Sequence, residues 1–272
     1  MLPGRTALIA AVLLLYAGTR SEAGTIAIST DVAATVTPSG LSISLKIMNS
    51  GDEAARSVVP SVILAGDVPS RGQPVATLAP SQRLDAQIEV PWKEKRSGQW
   101  PLTTSVDYAD GNGYPLQAVQ VALITLGAPA PSLIALLEVD GPALAPSGDI
   151  HVRLKSLSPR PQQIQLRVVA ARGVEAAALI APLAIGPWAD RENVIGLTNH
   201  GLLPGSRVPV FVVAEYEDQG EHHTSMVHRM LEIRAPKGVW ALPAPYYAFI
   251  SSGVLVALWV AMLVRRRWTR PA

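Results

Sequence analysis

Apolar residues recur at every second position along much of the chain between residues 24 and 240. Leu41, Ile43, Leu45 and Ile47 alternate with Ser42, Ser44, Lys46 and Met48; Leu84, Ala86, Ile88 and Val90 alternate with polar partners, and Trp100, Leu102, Thr104 and Val106 do so again. Successive side chains of an extended chain point to opposite faces, so this period marks strands with one face buried. Residues 150–154, 164–168 and 208–214 read the same way, and no amphipathic helix is legible in the region.

The pattern also repeats at long range. "PSG" at 38–40 recurs at 146–148, Pro101 recurs as Pro209, and Tyr108 and Asp110 recur as Tyr216 and Asp218, each 108 residues on. Pro74 and Ala76 match Pro182 and Ala184 at the same offset. An internal repeat of this length predicts a duplicated domain. About seven short strands per copy, separated by Gly, Pro, Asn and Asp turns, predict two tandem immunoglobulin-like antiparallel β-sandwiches, hence an all-β fold. The expected boundaries are 24–126 and 132–236. The uncharged, proline-bearing stretch 127–131 forms a stiff linker between them.

Both ends read as membrane signals. Residues 1–23 combine Arg5, a short apolar run and the small residues Ser21 and Ala23, the layout of a secretory signal peptide. After a juxtamembrane segment, 237–245, residues 246–264 carry no charge. That is close to the length of about 20 residues that crosses a bilayer core. Tyr246, Tyr247 and Trp268 suit the interfaces, and Arg265, Arg266, Arg267 and Arg270 keep the tail, 265–272, in the cytoplasm. The reading is a single-pass protein of the cytoplasmic membrane, with its ectodomain in the periplasm or on the extracellular face. "LPAPYY", the apolar span and "RRRW" also resemble the tripartite tail of proteins processed by exosortase, or more remotely sortase. Ala244 replaces the Glu of the exosortase motif, and Pro245-Tyr246 the Thr-Gly of the sortase motif. That resemblance implies removal of the helix instead of retention.

Assigning the ends changes the meaning of the charge. The chain has 23 basic and 21 acidic side chains, but without Arg5, Arg20, Glu22 and the four tail arginines 17 basic residues face 20 acidic ones. The ectodomain is therefore acidic, and residues 101–150 contain no Lys, Arg or His, which argues against nucleic acid as a partner. Cysteine is absent, which excludes disulfides and thiolate chemistry and leaves burial alone to hold each domain.

Few stretches suggest chemistry. "DYADGNGYP" (107–115) holds Asp107, Asp110 and Asn112, too few local oxygens for a calcium loop, whereas Asp-Gly and Asn-Gly supply the positive φ of a hairpin turn. The matching "AEYEDQGEHH" retains Tyr216 and Asp218 and is expected to turn at Asp218 and Gly220 with one extra residue. In "EHHTSMVH", strand geometry puts His222 and His228 on one face and His223 on the other, so the group reads as a solvated hairpin tip without a metal quartet. No Gly-x-Ser-x-Gly, His-Glu-x-x-His or phosphate loop is present, and no catalytic residue, cofactor or metal is assigned.

"LSISLKIMNSGDEAARSVVPSVIL" and "VDYADGNG" resemble the alternating strand, Asn-x-Gly turn and Tyr-x-Asp hairpin of bacterial Ig-like modules of the CARDB and NEW3 type. The resemblance covers 25–126, and 132–235 more weakly, and implies a β-sandwich in an envelope protein with no particular ligand. The leading expectation is a non-catalytic, membrane-anchored binding or scaffold module for another envelope protein. Its candidate contacts are the hairpin tips, Asp110, Asn112 and Tyr114 in the first copy and Asp218, Glu221, His222 and His223 in the second.

Two alternatives come from other classes. A pilus-type chaperone also carries two Ig-like domains, but it grips a carboxylate with basic residues, and no Lys or Arg occurs in 24–45 or 101–152. A glycan-binding or enzyme accessory protein needs an exposed aromatic platform; Trp100 reads as core, leaving Trp92 and Trp188 isolated. If the cleavage site is correctly read, N-terminal sequencing of the membrane-fraction protein returns "GTIAIST", beginning at Gly24. Recovery of residues 1–23 would establish an N-terminal anchor instead.

Overall fold

The computed structural model describes residues 24–65, 68–92, 96–128, 131–176 and 182–235. The expected signal segment, 1–23, and the expected membrane span with its flanks, 237–272, lie outside them, as do residues 129 and 130 of the expected linker. Among the described residues no helix is long and apolar enough to cross a membrane, and every regular element is a strand.

The first set of strands is β1 (Ile28–Thr37), β2 (Gly40–Asn49), β3 (Ala55–Leu64), β4 (Ser70–Arg71), β5 (Val75–Leu78), β6 (Arg83–Pro91), β7 (Gly98–Ala109) and β8 (Pro115–Leu126). The second is β9 (Ile134–Asp140), β10 (Ser147–Ser156), β11 (Gln162–Ala170), β12 (Val174–Ala176), β13 (Leu183–Ile185), β14 (Asp190–Asn199), β15 (Arg207–Asp218) and β16 (Glu221–Glu232). In the first set β1, β2 and β6 form one sheet, while β5 pairs with β3, β3 neighbours β7 and β7 pairs with β8. The second set repeats this order apart from its short fourth strand: β9, β10 and β14 form one sheet and β13, β11, β15 and β16 lie side by side in the other, but β12 joins β14 where β4 joins β3. The fold is all-β, with sheets of the sandwich type, and this shared order occurs twice.

By packing, the described residues divide into two compact units. One takes those up to 63, then 68–92 and 104–118; the other takes 64–65, 96–103 and those from 119 onward. In the first unit Leu41, Ile43, Leu45 and Ile47 of β2, Val58 and Val62 of β3, Leu78 of β5, and Ile88 and Val90 of β6 are all buried. Its long β1–β2 hairpin turns within two residues, with Thr37 paired to Gly40. Asn49, fully buried at the end of β2, donates through Nδ2 to the carbonyls of Glu53 (2.7 Å) and Leu78 (3.1 Å), and its Oδ1 accepts from Gly51 N–H. A buried amide so used fixes the chain reversal after β2.

Alternation does not mean that every polar position meets water. On β7, Ser105 is buried as well as Val106, and its hydroxyl pairs with that of Ser61 at 2.8 Å, so polar atoms on the second face are satisfied internally. In the second unit β15 is buried continuously from Val210 to Tyr216. Val210, Val212, Ala214 and Tyr216 enter the main core with Ile150, Val152, Ile164 and Ile195, while Phe211 and Val213 pack with Val121 on the other face.

The repeated tyrosines differ. Tyr216 is 3% exposed, and its hydroxyl accepts from Leu133 N–H at 2.6 Å, whereas Tyr108 is only partly buried, enough for loss of water to push its phenol pKa up. Tyr216→Ala is therefore expected to cost about 3–5 kcal/mol in chemical denaturation and Tyr108→Ala clearly less. Tyr216→Phe, which removes only the hydroxyl, should cost about 1 kcal/mol. Equal losses at the two alanine substitutions would contradict this packing.

Candidate functional site

The first tip is a hairpin turn. Asp110 Oδ1 accepts from the N–H groups of Asn112 (2.9 Å) and Tyr114 (2.8 Å), and the main chain closes with Gly113 N–H on Asp110 O and Asp110 N–H on Tyr114 O, both at 3.1 Å. Gly113 supplies the positive φ, 82°. Glu53 Oε1 braces the loop by accepting from Gly111 N–H at 2.8 Å. Asp110 is thus spent on the turn, which leaves Asn112 and Tyr114 as its exposed side chains.

The second tip is tighter than its sequence suggests. Asp218 pairs with Glu221, and the two residues between, Gln219 (φ 52°) and Gly220 (φ 82°), make a two-residue turn, not one with an extra residue. Asp218 accepts from Arg160, with which it forms an ion pair at 2.9 Å.

The solvated reading of the histidines requires correction. His222 and His223 are 6% and 5% exposed. The predicted faces hold: Tyr216 lies opposite His223 in the ladder and stacks on its ring at 4.9 Å, whereas His222 lies opposite Glu217 and points the other way. What the local sequence lacks is the cover, because His222 is roofed by Trp100, whose ring lies on the imidazole at 3.6 Å and 5°. Trp100 is more than a hundred residues upstream and is buried, as its alternation predicts.

Around His222 the second unit gathers charge. Glu217 Oε1 lies 2.8 Å from Nδ1 and Glu215 Oε1 lies 3.3 Å from Nε2. Arg167 of β11 pairs with Glu215, and Arg96 pairs with Glu217 at 2.8 Å. Burial alone would depress the His222 pKa, but the nearby carboxylates of Glu215 and Glu217, the second hydrogen-bonded to Nδ1, outweigh it and raise the value above 6.5. Burial likewise opposes ionisation of Glu215, yet His222 and Arg167 win and hold its carboxyl below the ordinary 4.5. These groups and Trp100 line an open groove of about 680 Å³. Glu215, Glu217, Arg96 and Arg167 escape sequence reasoning; the available signal is two glutamates at i and i+2 interrupting an apolar strand, two residues from a histidine-bearing turn.

Among the described residues no group of three or more His, Asp or Glu is placed to hold a metal ion. None of the described side chains lining the groove is Ser, Thr, Cys or Lys.

No model of a protein family matches the chain, and no curated protein matches it. Among solved structures, the chain is similar to native Escherichia coli alpha-2-macroglobulin, with 11% identity over 77% of this chain and 17% of the other, at a TM-score of 0.30. It is also similar to the YadV chaperone, with 12% identity over 75% of this chain and 99% of the other, TM-score 0.29. A third similarity is to red sea bream transglutaminase, with 13% identity over 86% and 34% of the two chains, TM-score 0.25. The chain spans about a sixth to a fifth of the alpha-2-macroglobulins it resembles.

Because Asp110 supports a turn by two hydrogen bonds from its own loop, Asp110→Ala should lower stability by about 1–2 kcal/mol. The loss should be the same with excess calcium and with chelator. A calcium-dependent melting temperature that disappears in the variant would make the loop an ion site.

Proposed function

We propose that the protein is a non-catalytic, membrane-anchored envelope protein whose two Ig-like sandwiches bind another envelope protein. The observation that carries this reading is the construction of the two hairpin tips. Each is closed by its own main chain, so Asn112, Tyr114, Gln219 and Glu221 are presented from ordered turns. A surface whose backbone is already fixed loses little conformational entropy on binding.

The ends place this surface outside the cytoplasm: residues 1–23 direct export and 246–264 anchor the chain, with the arginine tail inside. A carboxylate-gripping chaperone is less well supported, because Arg96 and Arg167 in the groove are already paired with Glu217 and Glu215. Among the described tryptophans a glycan platform is supported only by Trp188, 63% exposed, since Trp100 is buried and Trp92 half-buried.

Photo-crosslinking amino acids placed at Asn112 and Glu221 in living cells, with Thr35 as an exposed control, test the reading. A reproducible protein adduct from either tip and none from Thr35 is expected by mass spectrometry. Monomer alone, or glycan adducts alone, would overturn it. Protease added to spheroplasts should digest the ectodomain and spare a tag fused after Ala272; loss of the tag would reverse the orientation.

A further inference from the structure

The chain leaves the second unit at the end opposite the β15–β16 turn. Ile233 and Arg234, which follow β16, are held from both sides. Arg234 N–H donates to Leu144 O at 2.7 Å, Ile233 N–H donates to Ser206 O at 2.8 Å, and Gly205 N–H donates back to Ile233 O at 2.8 Å. The turn made by Leu203, Pro204, Gly205 and Ser206 therefore sits against the exit of the chain, and it is ordered. Ser206 N–H donates to Leu203 O at 3.1 Å, and Pro204 followed by Gly205 at φ 92° is the residue order of a type II turn. Asn199 braces the approach: its Oδ1 accepts from the N–H groups of Gly201 and Leu202, and its Nδ2 donates to Leu202 O.

The two leucines of this loop face opposite ways. Leu202 packs against the core of the second unit, whereas Leu203 is 64% exposed. Met230, near the same end of β16, is 54% exposed. The repeat supplies a comparison, because the offset that sets Ser206 against Gly98 sets Leu203 against Lys95. The apolar residue thus belongs to the copy that the uncharged span follows. Exposed Arg207 and Arg234 flank Glu232, which is the ladder partner of Arg207 and lies 3.6 Å from Arg234. Two guanidiniums share one carboxylate beside the turn.

We propose that this end of the second unit rests on the lipid bilayer, with Leu203 entering the headgroup boundary and Arg207 and Arg234 at the depth of the phosphates. The inference rests on the reading of residues 246–264 as the anchor. Residues 236–245 separate the last described position from that span, and their one charge is Lys237. Fully extended, that tether reaches about 40 Å. The 12 residues of β15 put the Gln219–Gly220 turn roughly as far from the exit, at the rise of an extended chain. The far end could touch the bilayer only with the tether drawn straight along the unit; the Leu203 turn needs almost none of its length. Apolar side chains of surface-bound segments enter about 5–10 Å into the headgroup boundary, a depth that a leucine on a projecting turn can reach. Gln219 and Glu221 then point away from the membrane, where another envelope protein can meet them.

Because the chain has no cysteine, each single-cysteine variant carries one fluorophore. Leu203→Cys, Gln219→Cys and Ala248→Cys are labelled in the full chain, reconstituted into vesicles of phosphatidylethanolamine and phosphatidylglycerol, and quenched by lipids with a nitroxide at the headgroup or in the upper acyl chain. The labels at 203 and 248 should be quenched several-fold more than the label at 219. A fluorophore has its own affinity for lipid, so a label at His200→Cys, in the same loop, is compared with Leu203 kept and with Leu203→Asp; the aspartate should reduce its quenching several-fold. Quenching at 248 without quenching at 203 would overturn the contact and leave the anchor standing. No quenching at 248 would overturn the anchor and the contact with it. Quenching at 219 equal to that at 203, or a His200→Cys label indifferent to Leu203→Asp, would also overturn the contact.

Discussion

Without a single cysteine, the fold is held by burial alone, and some of its strands are covered on both faces. β15 carries this constraint furthest. Val210, Val212, Ala214 and Tyr216 fill the main core of the second unit, and on the reverse face Phe211 and Val213 meet Val121. Covering a side chain of this size removes roughly 1.5–3 kcal/mol of unfavourable hydration, and the two faces of one strand add these terms without any cross-link. The same double coverage sets a condition for polar residues: buried polar atoms on either face need partners inside the protein. Ser61 with Ser105, and the Tyr216 hydroxyl with Leu133 N–H, are two solutions. The Glu215–His222 cluster is the charged version.

The fold was largely legible because period-two burial is a local property. The run Leu41, Ile43, Leu45, Ile47 is read directly from the chain and is wholly buried, and the recurrence of Tyr108 and Asp110 as Tyr216 and Asp218 corresponds to a repeated strand order. The site was legible only in outline. "DGNG" announces a turn, and the turn is there, because its hydrogen bonds are made between neighbours. His222 and His223 looked solvated because their covers are not neighbours: Trp100 arrives from far upstream, and Tyr216 reaches His223 only once the two-residue turn sets the register. Glu215 illustrates the same limit, since neither glutamate in "VFVVAEYE" gives a sign that Arg167 stands beside the first of them.

The β15–β16 hairpin joins the two aspects of the molecule that bear on function. At its end an ordered turn presents Gln219 and Glu221; one residue further back the chain enters the cluster of buried His222 and Glu215 with half-exposed Glu217. The turn and the imidazole stacked under Trp100 therefore sit on the same two strands.

Gly98 has a consequence for how the chain finds its register. Its missing Cβ is the only reason that His222 O can approach, since an added methyl would lie at 2.1 Å from that oxygen. The neighbours Ser97 and Gln99 both carry side chains, so a slip of one residue in either direction is rejected by steric overlap before any hydrogen bond is compared. The copy at 108 residues' distance has Ser206 in the matching place, so the two halves of the duplication cannot exchange roles at this contact. The glycine acts as a key cut for one lock: among its immediate neighbours it alone lacks the Cβ that would meet the His222 carbonyl.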